Sequence, residues 1–291
     1  FTELISAEAL IRGGNKCSAS LLRRAANENV WAVQLFGESA RSMAQAAAAL
    51  APYKPDMIDI NAGCPVPKVT RCGAGSALMR EPEKLGAIVE AVAQASREYL
   101  GGIPVSVKLR SGWDEVSINF GECARTAVRA GAALVSLHPR TRTQGYSGKS
   151  RWRYIAELSA ELPVPVAGSG DLYSAGDAER MLRETGCAAV MFARGAFGNP
   201  FIFSETKSLL TGGKPEPAGA GQRINAAFRQ LELLAGVMGE KSACLEMRKI
   251  FCAYTKGLPG AAPLRARLIQ AKTISDYAVI CEVYTGSFGA D

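Results

Sequence analysis

The stretch Met57-Ile-Asp-Ile-Asn-Ala-Gly-Cys-Pro65 shows how this chain is built. A short apolar, β-branched run ends at a polar residue, and glycine and proline then favour a turn. Similar runs recur at 1–4, 30–36, 57–60, 105–109, 133–137, 164–167 and 188–192. Between them lie helical patterns, at 39–51, 82–99, 120–130, 152–161 and 175–185. Alternating strands and helices predict an α/β fold with a parallel sheet.

The strands end in polar or otherwise special residues, which are Gln34, Asn61, Lys108, His138, Ser169 and Arg194. In a (β/α)8 barrel the carboxyl ends of several strands build the active site together. A doubly wound sheet concentrates its site at one switch point instead. The pattern therefore favours a (β/α)8 TIM barrel. Seven runs are visible and such a barrel needs eight strands, so we expect the first strand to lie upstream of Phe1.

A Gly/Pro-rich stretch, Thr211-Gly-Gly-Lys-Pro-Glu-Pro-Ala-Gly-Ala-Gly221, follows the last strand and helix pair and is typical of a linker. From Gln222 onward the pattern is helical without a clear strand. We therefore expect a barrel catalytic domain over 1–212 and a small helical C-terminal domain over 221–291.

Composition narrows the class of protein. The chain has 291 residues, 48% of them hydrophobic and 21% charged, which is ordinary for a globular protein. A net charge of +7 suggests an acidic partner such as nucleic acid. No window reaches the length of a membrane helix. With one histidine and no Cys-x-x-Cys pair, a structural metal site is not expected. The eight cysteines, at 17, 64, 72, 123, 187, 244, 252 and 281, indicate reduced thiols of a cytoplasmic protein.

Cys64 is the candidate catalytic residue, because it lies just past a strand end in a turn shaped by Gly63 and Pro65. A free thiol is mostly protonated at neutral pH and can donate a proton without special tuning. A buried structural cysteine in a tight turn is the alternative, and the residues alone leave the two about equal.

Two glycine-rich loops follow the last two runs. They are Gly168-Ser-Gly-Asp171 and Ala193-Arg-Gly-Ala-Phe-Gly198. Small residues leave backbone N–H groups free to bind a phosphate, and barrels commonly place a phosphate after strands seven and eight. Either loop alone could simply be a tight turn that needs glycine, but the pair favours a phosphate site.

Lys108 and His138 end successive strands and are expected at the same mouth of the barrel. A cation there can stabilise negative charge on a reduced ring system, and a histidine can hydrogen-bond it. Lys108 could instead be the Schiff-base lysine of an aldolase-like barrel. A lone histidine is more often structural, although its position in line with Lys108 favours a functional role.

Two basic clusters point to a polyanion. The loop from His138 to Tyr154 carries five basic residues and no acidic one, interleaved with Tyr146 and Trp152. Between Lys241 and Lys272 there are seven basic residues against one acidic residue. Basic groups with aromatics suit phosphate contacts and base stacking on RNA. Each cluster alone could be a solvated face, and the two together favour RNA laid across both.

The chain closely resembles the tRNA-dihydrouridine synthase family at Asn61-Ala-Gly-Cys-Pro65 and Gly73-Ala-Gly-Ser-Ala-Leu78. Further matching segments follow in order along nearly the whole chain. They are Ala32-Val-Gln-Leu-Phe-Gly37, Val107-Lys-Leu-Arg-Ser-Gly112, His138-Pro-Arg-Thr-Arg142, Gly145-Tyr-Ser-Gly148, Gly168-Ser-Gly-Asp171 and Ala193-Arg-Gly-Ala-Phe-Gly-Asn-Pro200, with weaker similarity at Glu246-Met-Arg-Lys249 and Tyr254-Thr-Lys-Gly257. The cysteine motif is specific, whereas the glycine loops are shared with many flavin barrels.

The resemblance implies a barrel that contains flavin mononucleotide (FMN), followed by a helical tRNA-binding domain. It implies that NADPH is the reductant, that the flavin passes hydride to C6 of a uridine in the tRNA D-loop, and that Cys64 protonates C5. It also assigns residues to roles. Gln34, Lys108 and His138 would contact the flavin ring; Ser169, Gly170, Asp171, Ala193 and Arg194 would hold its phosphate; Asn61 would orient the flipped uracil; Arg140 and Arg142 would meet the RNA. A monomer acting on one tRNA is implied as well.

Two other functions stay open at this point. A flavin barrel that acts on a free dihydropyrimidine or on dihydroorotate would share the phosphate loops and Lys108. It would not need the basic aromatic loop or the basic C-terminal helices. A catalytically dead RNA-binding barrel would keep the basic clusters and would hold no flavin.

Overall fold

The structure is a computed structural model that describes residues 1–13, 21–26 and 28–286. Its strands are β1 (Ile5–Ser6), β2 (Ala32–Phe36), β3 (Met57–Ala62), β4 (Val105–Arg110), β5 (Leu134–His138), β6 (Val166–Ser169) and β7 (Ala189–Met191). They form one parallel sheet in the order β1 to β7. A doubly wound sheet would reverse its order at a switch point, whereas this sequential order is that of a barrel wall. The predicted α/β fold of the TIM-barrel type is confirmed; the eighth strand upstream of Phe1 stays a prediction.

The first strand lies at Ile5–Ser6 and not over 1–4, so its predicted position was wrong. The N–H of Thr2 donates to Ala32 O (2.9 Å), and the Thr2 hydroxyl accepts from the Gln34 N–H (3.0 Å). Because a side-chain oxygen takes the place that a carbonyl holds in a regular ladder, residues 1–4 run beside β2 without forming a strand.

The helices follow the strands in alternation, as predicted. They are α1 (Ala7–Ile11), α2 (Ala40–Ala49), α3 (Pro67–Thr70), α4 (Pro82–Tyr99), α5 (Phe120–Arg129), α6 (Arg153–Glu161), α7 (Ala175–Thr185), α8 (Ile202–Leu210), α9 (Ala220–Met238), α10 (Glu240–Tyr254), α11 (Ala261–Leu268) and α12 (Ile274–Gly286). Short 3-10 segments lie at Ala51–Tyr53 and Gly75–Arg80. From residue 220 onward every described element is a helix, which confirms the helical C-terminal region.

The chain divides into two compact units. One unit comprises Phe1–Asp171 and Arg180–Met191, and the other comprises Leu172–Glu179 and Phe192–Asp291. This division assigns residues 192–212 to the same unit as the C-terminal helices. The domain boundary expected between 212 and 221 stays a prediction.

The apolar core of the first unit follows from the alternation of side chains along its strands. In β3, Ile58 and Ile60 are completely buried on one face, and Val107 and Leu109 do the same in β4. Residues two apart share a face of a strand, so the intervening positions point to the opposite face. Those intervening positions are polar, and they build the site described below.

The core of the second unit is aromatic at its centre. The rings of Phe251 and Tyr277 stack with centroids 5.0 Å apart, and both side chains are buried. The Tyr277 hydroxyl donates to Cys244 O at 2.9 Å, so the buried phenol keeps a hydrogen-bond partner. Burial raises the pKa of Tyr277 to about 12. These helices therefore have a core of their own.

The described ranges contain neither a membrane-spanning helix nor a cluster of metal-binding side chains. None of the helices there combines the length and apolar character that crossing a membrane requires. The same ranges contain no group of three or more His, Cys, Asp or Glu side chains that could hold a metal ion. Seven cysteines are described and all are free thiols, whereas Cys17 lies outside the described residues.

Candidate active site

The polar face of the sheet is arranged in levels by the parallel register. From the amino to the carboxyl ends of the strands, the levels are Gln34, Asp59 and Ser106; then Asn61, Lys108 and Ser136; then Arg110 and His138. Members of one level are register partners on neighbouring strands, and successive levels are two residues apart along each strand. All of them therefore share one face, and the last level lies nearest the carboxyl ends.

A chain of hydrogen bonds runs along this face to Cys64. The Ser106 hydroxyl and the Gln34 amide each donate to a different oxygen of the buried Asp59 carboxylate, both at 2.5 Å. Asn61 Nδ2 donates to Gln34 Oε1 at 2.8 Å, and Asn61 Oδ1 accepts from the Cys64 N–H at 2.9 Å. The backbone of Cys64 is thus tied to a buried carboxylate.

The Cys64 loop is also held from its other side. Cys64 O accepts from the Ser76 N–H at 3.0 Å and from the Ser76 hydroxyl at 2.9 Å. Gly75 has a φ of +61°, and a Cβ there would lie 2.8 Å from Cys64 O, so both conformation and space require glycine. Arg110 Nε donates to Gly63 O at 2.8 Å. The two motifs that carry the resemblance therefore meet, and they hold a half-buried free thiol.

Lys108 is half-buried on the same face, beside Asn61 on one strand and Ser136 on the other. Burial lowers the pKa of Lys108, and the nearby Asp59 carboxylate opposes that shift. Within the described residues, no hydrogen-bond acceptor or ion-pair partner lies within reach of Nζ. The buried Ser136 hydroxyl also lacks a partner there. Unsatisfied polar groups are costly, so this level is suited to a polar ligand.

His138 is buried and neutral at physiological pH. Burial, followed by the charges of Lys108 and Arg110, lowers the pKa of His138 to about 3. Arg140 Nη1 lies 3.3 Å from His138 Nε2. Because a guanidinium can only donate, Nε2 must accept, and the single ring proton resides on Nδ1. The histidine therefore offers one N–H donor and no charge.

Arg140 is buried and is hydrogen-bonded within the protein. Its Nη2 donates to both carboxylate oxygens of Asp171 (2.7 and 2.8 Å) and to Gly148 O (2.6 Å). Its Nε donates to Ser147 O at 3.2 Å. These bonds hold the loop after β5 against the loop after β6. The predicted contact of Arg140 with RNA stays a prediction, and this geometry gives the side chain an internal role.

Arg142 is half-buried, with its guanidinium 4.6 Å from the centroid of the Trp113 ring. Arg80 lies 5.0 Å from the same centroid. Arg142 Nε is buried without a hydrogen-bond partner among the described residues. These cation–π contacts hold both arginine side chains against the Trp113 ring. The predicted contact of Arg142 with RNA stays a prediction.

The first predicted phosphate loop lies in the unit that carries the polar face. Gly170 has a φ of +101°, and a Cβ there would lie 2.7 Å from His138 Cδ2 and would nearly overlap the Ser150 hydroxyl. The Ser169 hydroxyl donates to Met191 O at 2.9 Å, and Asp171 accepts from the Ser150 N–H at 2.8 Å. The side chains are occupied inside the protein, so a ligand would meet backbone here.

The second predicted phosphate loop belongs to the other compact unit. Ala193 and Arg194 are exposed, and the Arg194 guanidinium lies 5.5 Å from the centroid of the Tyr173 ring. A phosphate site shared with Ser169–Asp171 stays a prediction.

The basic loop after β5 carries its aromatics as expected. Tyr146 is exposed, and Arg110 lies 5.9 Å from the centroid of its ring. Arg153 lies 5.0 Å from the centroid of the Tyr154 ring. In the other unit, five residues of the C-terminal basic cluster are exposed, which are Lys241, Lys249, Lys256, Arg267 and Lys272. Both clusters thus present cations at the surface.

Comparison with known proteins decides the family. The model of the family described as dihydrouridine synthase matches residues 1–284. The chain belongs to the dihydrouridine synthase family. A probable tRNA-dihydrouridine synthase of Treponema pallidum (strain Nichols) is 47% identical over 285 residues, which are 96% of this chain and 84% of that protein. The tRNA-dihydrouridine synthase B of Xanthomonas axonopodis pv. citri (strain 306) is 37% identical over 262 residues, 89% of this chain and 77% of that one.

A solved structure of morphinone reductase in complex with tetrahydroNAD is 19% identical, over 63% of this chain and 51% of that chain. Its TM-score is 0.39.

A dihydrouridine synthase of this family implies a flavin, and the polar face fits one. Ser136 presents a buried hydroxyl that has no hydrogen-bond partner among the described residues, Lys108 presents a cation beside it, and His138 presents a neutral N–H donor. A ring with several carbonyl and nitrogen acceptors would satisfy those donors.

Sequence reasoning missed several residues that shape this site. Asp59, Ser106 and Ser136 lie inside strands, whereas the predicted site residues are those at strand ends. Their signal was present as polar residues two apart within otherwise apolar runs, for example Asp59 and Asn61. Alternation with period two would have placed them on the face of Lys108.

His138 gives a pH prediction for this dihydrouridine synthase. Its folded pKa of about 3 lies below the unfolded value of 6.5, so only the unfolded state takes up the proton between those values. Stability should therefore fall as pH drops below 6.5, by about 1.4 kcal/mol per pH unit from this group. Urea midpoints at pH 7, 6 and 5 measure it. Between pH 6.5 and 5, His138→Gln should lose about 2 kcal/mol less than the unaltered chain; equal losses would contradict the assignment.

Proposed function

We propose that the protein is a tRNA-dihydrouridine synthase. It reduces the C5=C6 bond of uridines in the tRNA D-loop, uses FMN as its cofactor and takes electrons from NADPH. The observation that carries the proposal is the hydrogen-bonded chain from Asp59 to the backbone of Cys64, on the same face as Lys108 and His138. Family membership favours this reading over a barrel acting on free dihydropyrimidine or dihydroorotate.

Cys64 is the proton donor in this proposal. Its thiol is half-buried, so it is accessible to a substrate and partly shielded from water. The Asn61 and Ser76 hydrogen bonds hold the loop on both sides of Cys64 and limit its motion. General acid catalysis requires a proton donor that is held in position close to the reacting atom. The thiol gives its proton to C5 of the uracil, on the side opposite to the incoming hydride.

FMN, when bound, would supply the hydride that adds to C6. Gln34, Lys108 and His138 would contact its ring, and the backbone of Ser169–Asp171 together with Ala193 and Arg194 would hold its phosphate. The Lys108 ammonium contributes positive charge where negative charge develops. The neutral His138 contributes a hydrogen bond without adding to that charge.

tRNA is the substrate in this proposal, and the surface charge supports it. The basic aromatic loop presents the exposed Lys149, Arg153 and Tyr146 in one unit, and the C-terminal helices present exposed lysines in the other. The target base must leave its stack to reach the barrel mouth. Acting on tRNA places the reaction in the cytoplasm, and one copy of the chain acting on one tRNA is the simplest arrangement.

One assay tests the proposal directly. The protein, supplied with FMN and NADPH, is incubated with unmodified tRNA transcripts, with uracil or with orotate, and the reduced products, dihydrouridine in tRNA or a free dihydropyrimidine, are identified by mass spectrometry. We expect dihydrouridine in tRNA and no turnover of the free bases. tRNA affinity should fall steeply with salt, because phosphate contacts release counterions. Reduction of free uracil or orotate, or no tRNA binding at low salt, would contradict the proposal.

A further inference from the structure

Asp59 lies beneath the residues assigned to the reaction, and none of those assignments uses it. Its side chain is completely buried on the face of the sheet that carries Lys108. The Gln34 amide donates to one carboxylate oxygen and the Ser106 hydroxyl donates to the other, both at 2.5 Å. Burying a carboxylate costs free energy, so we expect Asp59 to have a functional role.

The hydrogen-bond chain has two ends, and the end near Cys64 determines the orientation of the Asn61 amide. The N–H groups of Gly63 and Cys64 lie 3.3 and 2.9 Å from Asn61 Oδ1. A backbone N–H can only donate, so the amide oxygen must face both of them. Asn61 Nδ2 therefore turns toward Gln34 and donates to its Oε1.

The other end of the hydrogen-bond chain, at Asp59, favours the same orientation independently. Burial raises the pKa of Asp59, and the hydrogen bonds from Ser106 and Gln34 oppose that shift. The ionised carboxylate can only accept, so in this form Asp59 requires the Nε2 end of the Gln34 amide. Gln34 Oε1 must then face Asn61, where it can accept only from Nδ2. The two ends agree. Asp59 thus adds a second restraint, at the buried end, against the Gln34 and Asn61 amides reversing together.

The consequence is a restriction on what Asn61 can offer a substrate. Its oxygen already accepts two backbone hydrogen bonds, which uses both lone pairs. Of its two N–H groups, one is donated to Gln34. A single N–H donor remains. A uracil ring has two carbonyl acceptors and one N3–H donor, so Asn61 can bind a carbonyl oxygen and cannot accept from N3–H.

We propose that Asp59 is a positioning residue that acts through Gln34 to fix the Asn61 amide, so that Asn61 presents an N–H donor to a carbonyl oxygen of the target uracil. The inference rests on the proposed function, because it assumes that uracil is the ring bound beside Asn61. It adds a residue that touches neither substrate nor cofactor, and it states which kind of uracil atom is recognised.

The first test is Asp59→Asn, which keeps the shape of the side chain. An amide at this position can also donate to Gln34 Oε1, so Asp59 no longer enforces the orientation of the two amides, and only the Gly63 and Cys64 N–H groups still favour it. We expect kcat/KM for tRNA to fall about tenfold, which corresponds to one hydrogen bond of about 1.4 kcal/mol. The change should appear in KM more than in kcat. An unchanged kcat/KM would overturn the inference.

A double-mutant cycle tests whether Asp59 acts through Asn61. In an Asn61→Ala background, adding Asp59→Asn should lower kcat/KM no further, because the amide that Asp59 positions is gone. Independent, multiplicative losses would mean that Asp59 acts elsewhere and would overturn the inference. Ser96→Ala is the matched control. It removes another buried hydrogen bond, Ser96 Oγ to Ile103 O at 2.6 Å, just before the amino end of β4, and should leave kcat/KM unchanged.

A second variant keeps the inference testable if Asp59→Asn fails to fold. Asn61→Asp keeps an acceptor for the Gly63 and Cys64 N–H groups and removes the donor. Its KM for tRNA should rise at least as much as that of Asn61→Ala; a KM equal to that of the unaltered chain would refute the donor assignment. If the unaltered chain forms no dihydrouridine, the proposed function fails. If the unaltered chain forms dihydrouridine and the variants have the same kinetic constants, only the inference about Asp59 and Asn61 fails.

Discussion

Cys64→Ala should lower the rate of dihydrouridine formation in tRNA by at least about 100-fold, because a positioned general acid contributes about 10²–10⁴ to a rate. The methyl group cannot donate a proton, while the Asn61 and Ser76 bonds to the backbone of residue 64 remain available. Bound flavin, read from its visible spectrum, and tRNA affinity should both stay close to those of the unaltered chain. Mass spectrometry of the tRNA measures the rate.

The chain offers a matched control in Cys72→Ala. Cys72 is an exposed thiol eight positions further along, and its Sγ lies 3.5 Å from Lys68 O. Removing it should leave the rate unchanged, which separates loss of the proton donor from loss of any nearby thiol. If Cys64→Ala formed dihydrouridine at the rate of the unaltered chain, the donor role would be wrong and the structural reading of Cys64 would stand.

Much of the fold could be read from the chain because strands in a barrel are short, apolar and ended by functional groups. Helix α4 (Pro82–Tyr99) and helix α7 (Ala175–Thr185) lie where the helical patterns predicted them. The first strand was misplaced for a physical reason. The Thr2 hydroxyl takes a ladder position, so an apolar run at 1–4 does not become a regular strand.

The side-chain pairings could not be read, because they join residues far apart in the chain. Arg140 and Asp171 were assigned to RNA and to a phosphate, and the structure joins them in an ion pair of 2.7 Å. Nothing in either local motif indicates that partner. The pairing of Gln34 with Asp59 likewise depends on the register between β2 and β3. Register comes from the folded sheet and is not carried by any single segment.

Replacing Lys108 is expected to have the second large effect on activity. The substitution also distinguishes a role of Lys108 in catalysis from a role in stabilising the fold. A cation with no partner among the described residues, whose pKa is lowered chiefly by burial, costs the fold free energy. A protein keeps such a group when the group serves a ligand. Lys108→Met keeps the length of the side chain and removes the charge. Without its cation, the site should bind flavin more weakly and should form dihydrouridine at least about 100-fold more slowly.

The same substitution should leave stability equal or higher, since it removes the cost of desolvating a half-buried cation that burial disfavours. Urea unfolding of flavin-free protein measures that change, and titration with FMN measures the affinity. Lys54→Met is the control, because it removes the same charge at an exposed position before the amino end of β3. It should change neither flavin affinity nor rate. A Lys108→Met protein that unfolds at lower urea yet keeps both would show that Lys108 supports the fold alone. The opposite pattern, with stability kept and chemistry lost, would identify Lys108 as the charge that the barrel holds in place for its cofactor.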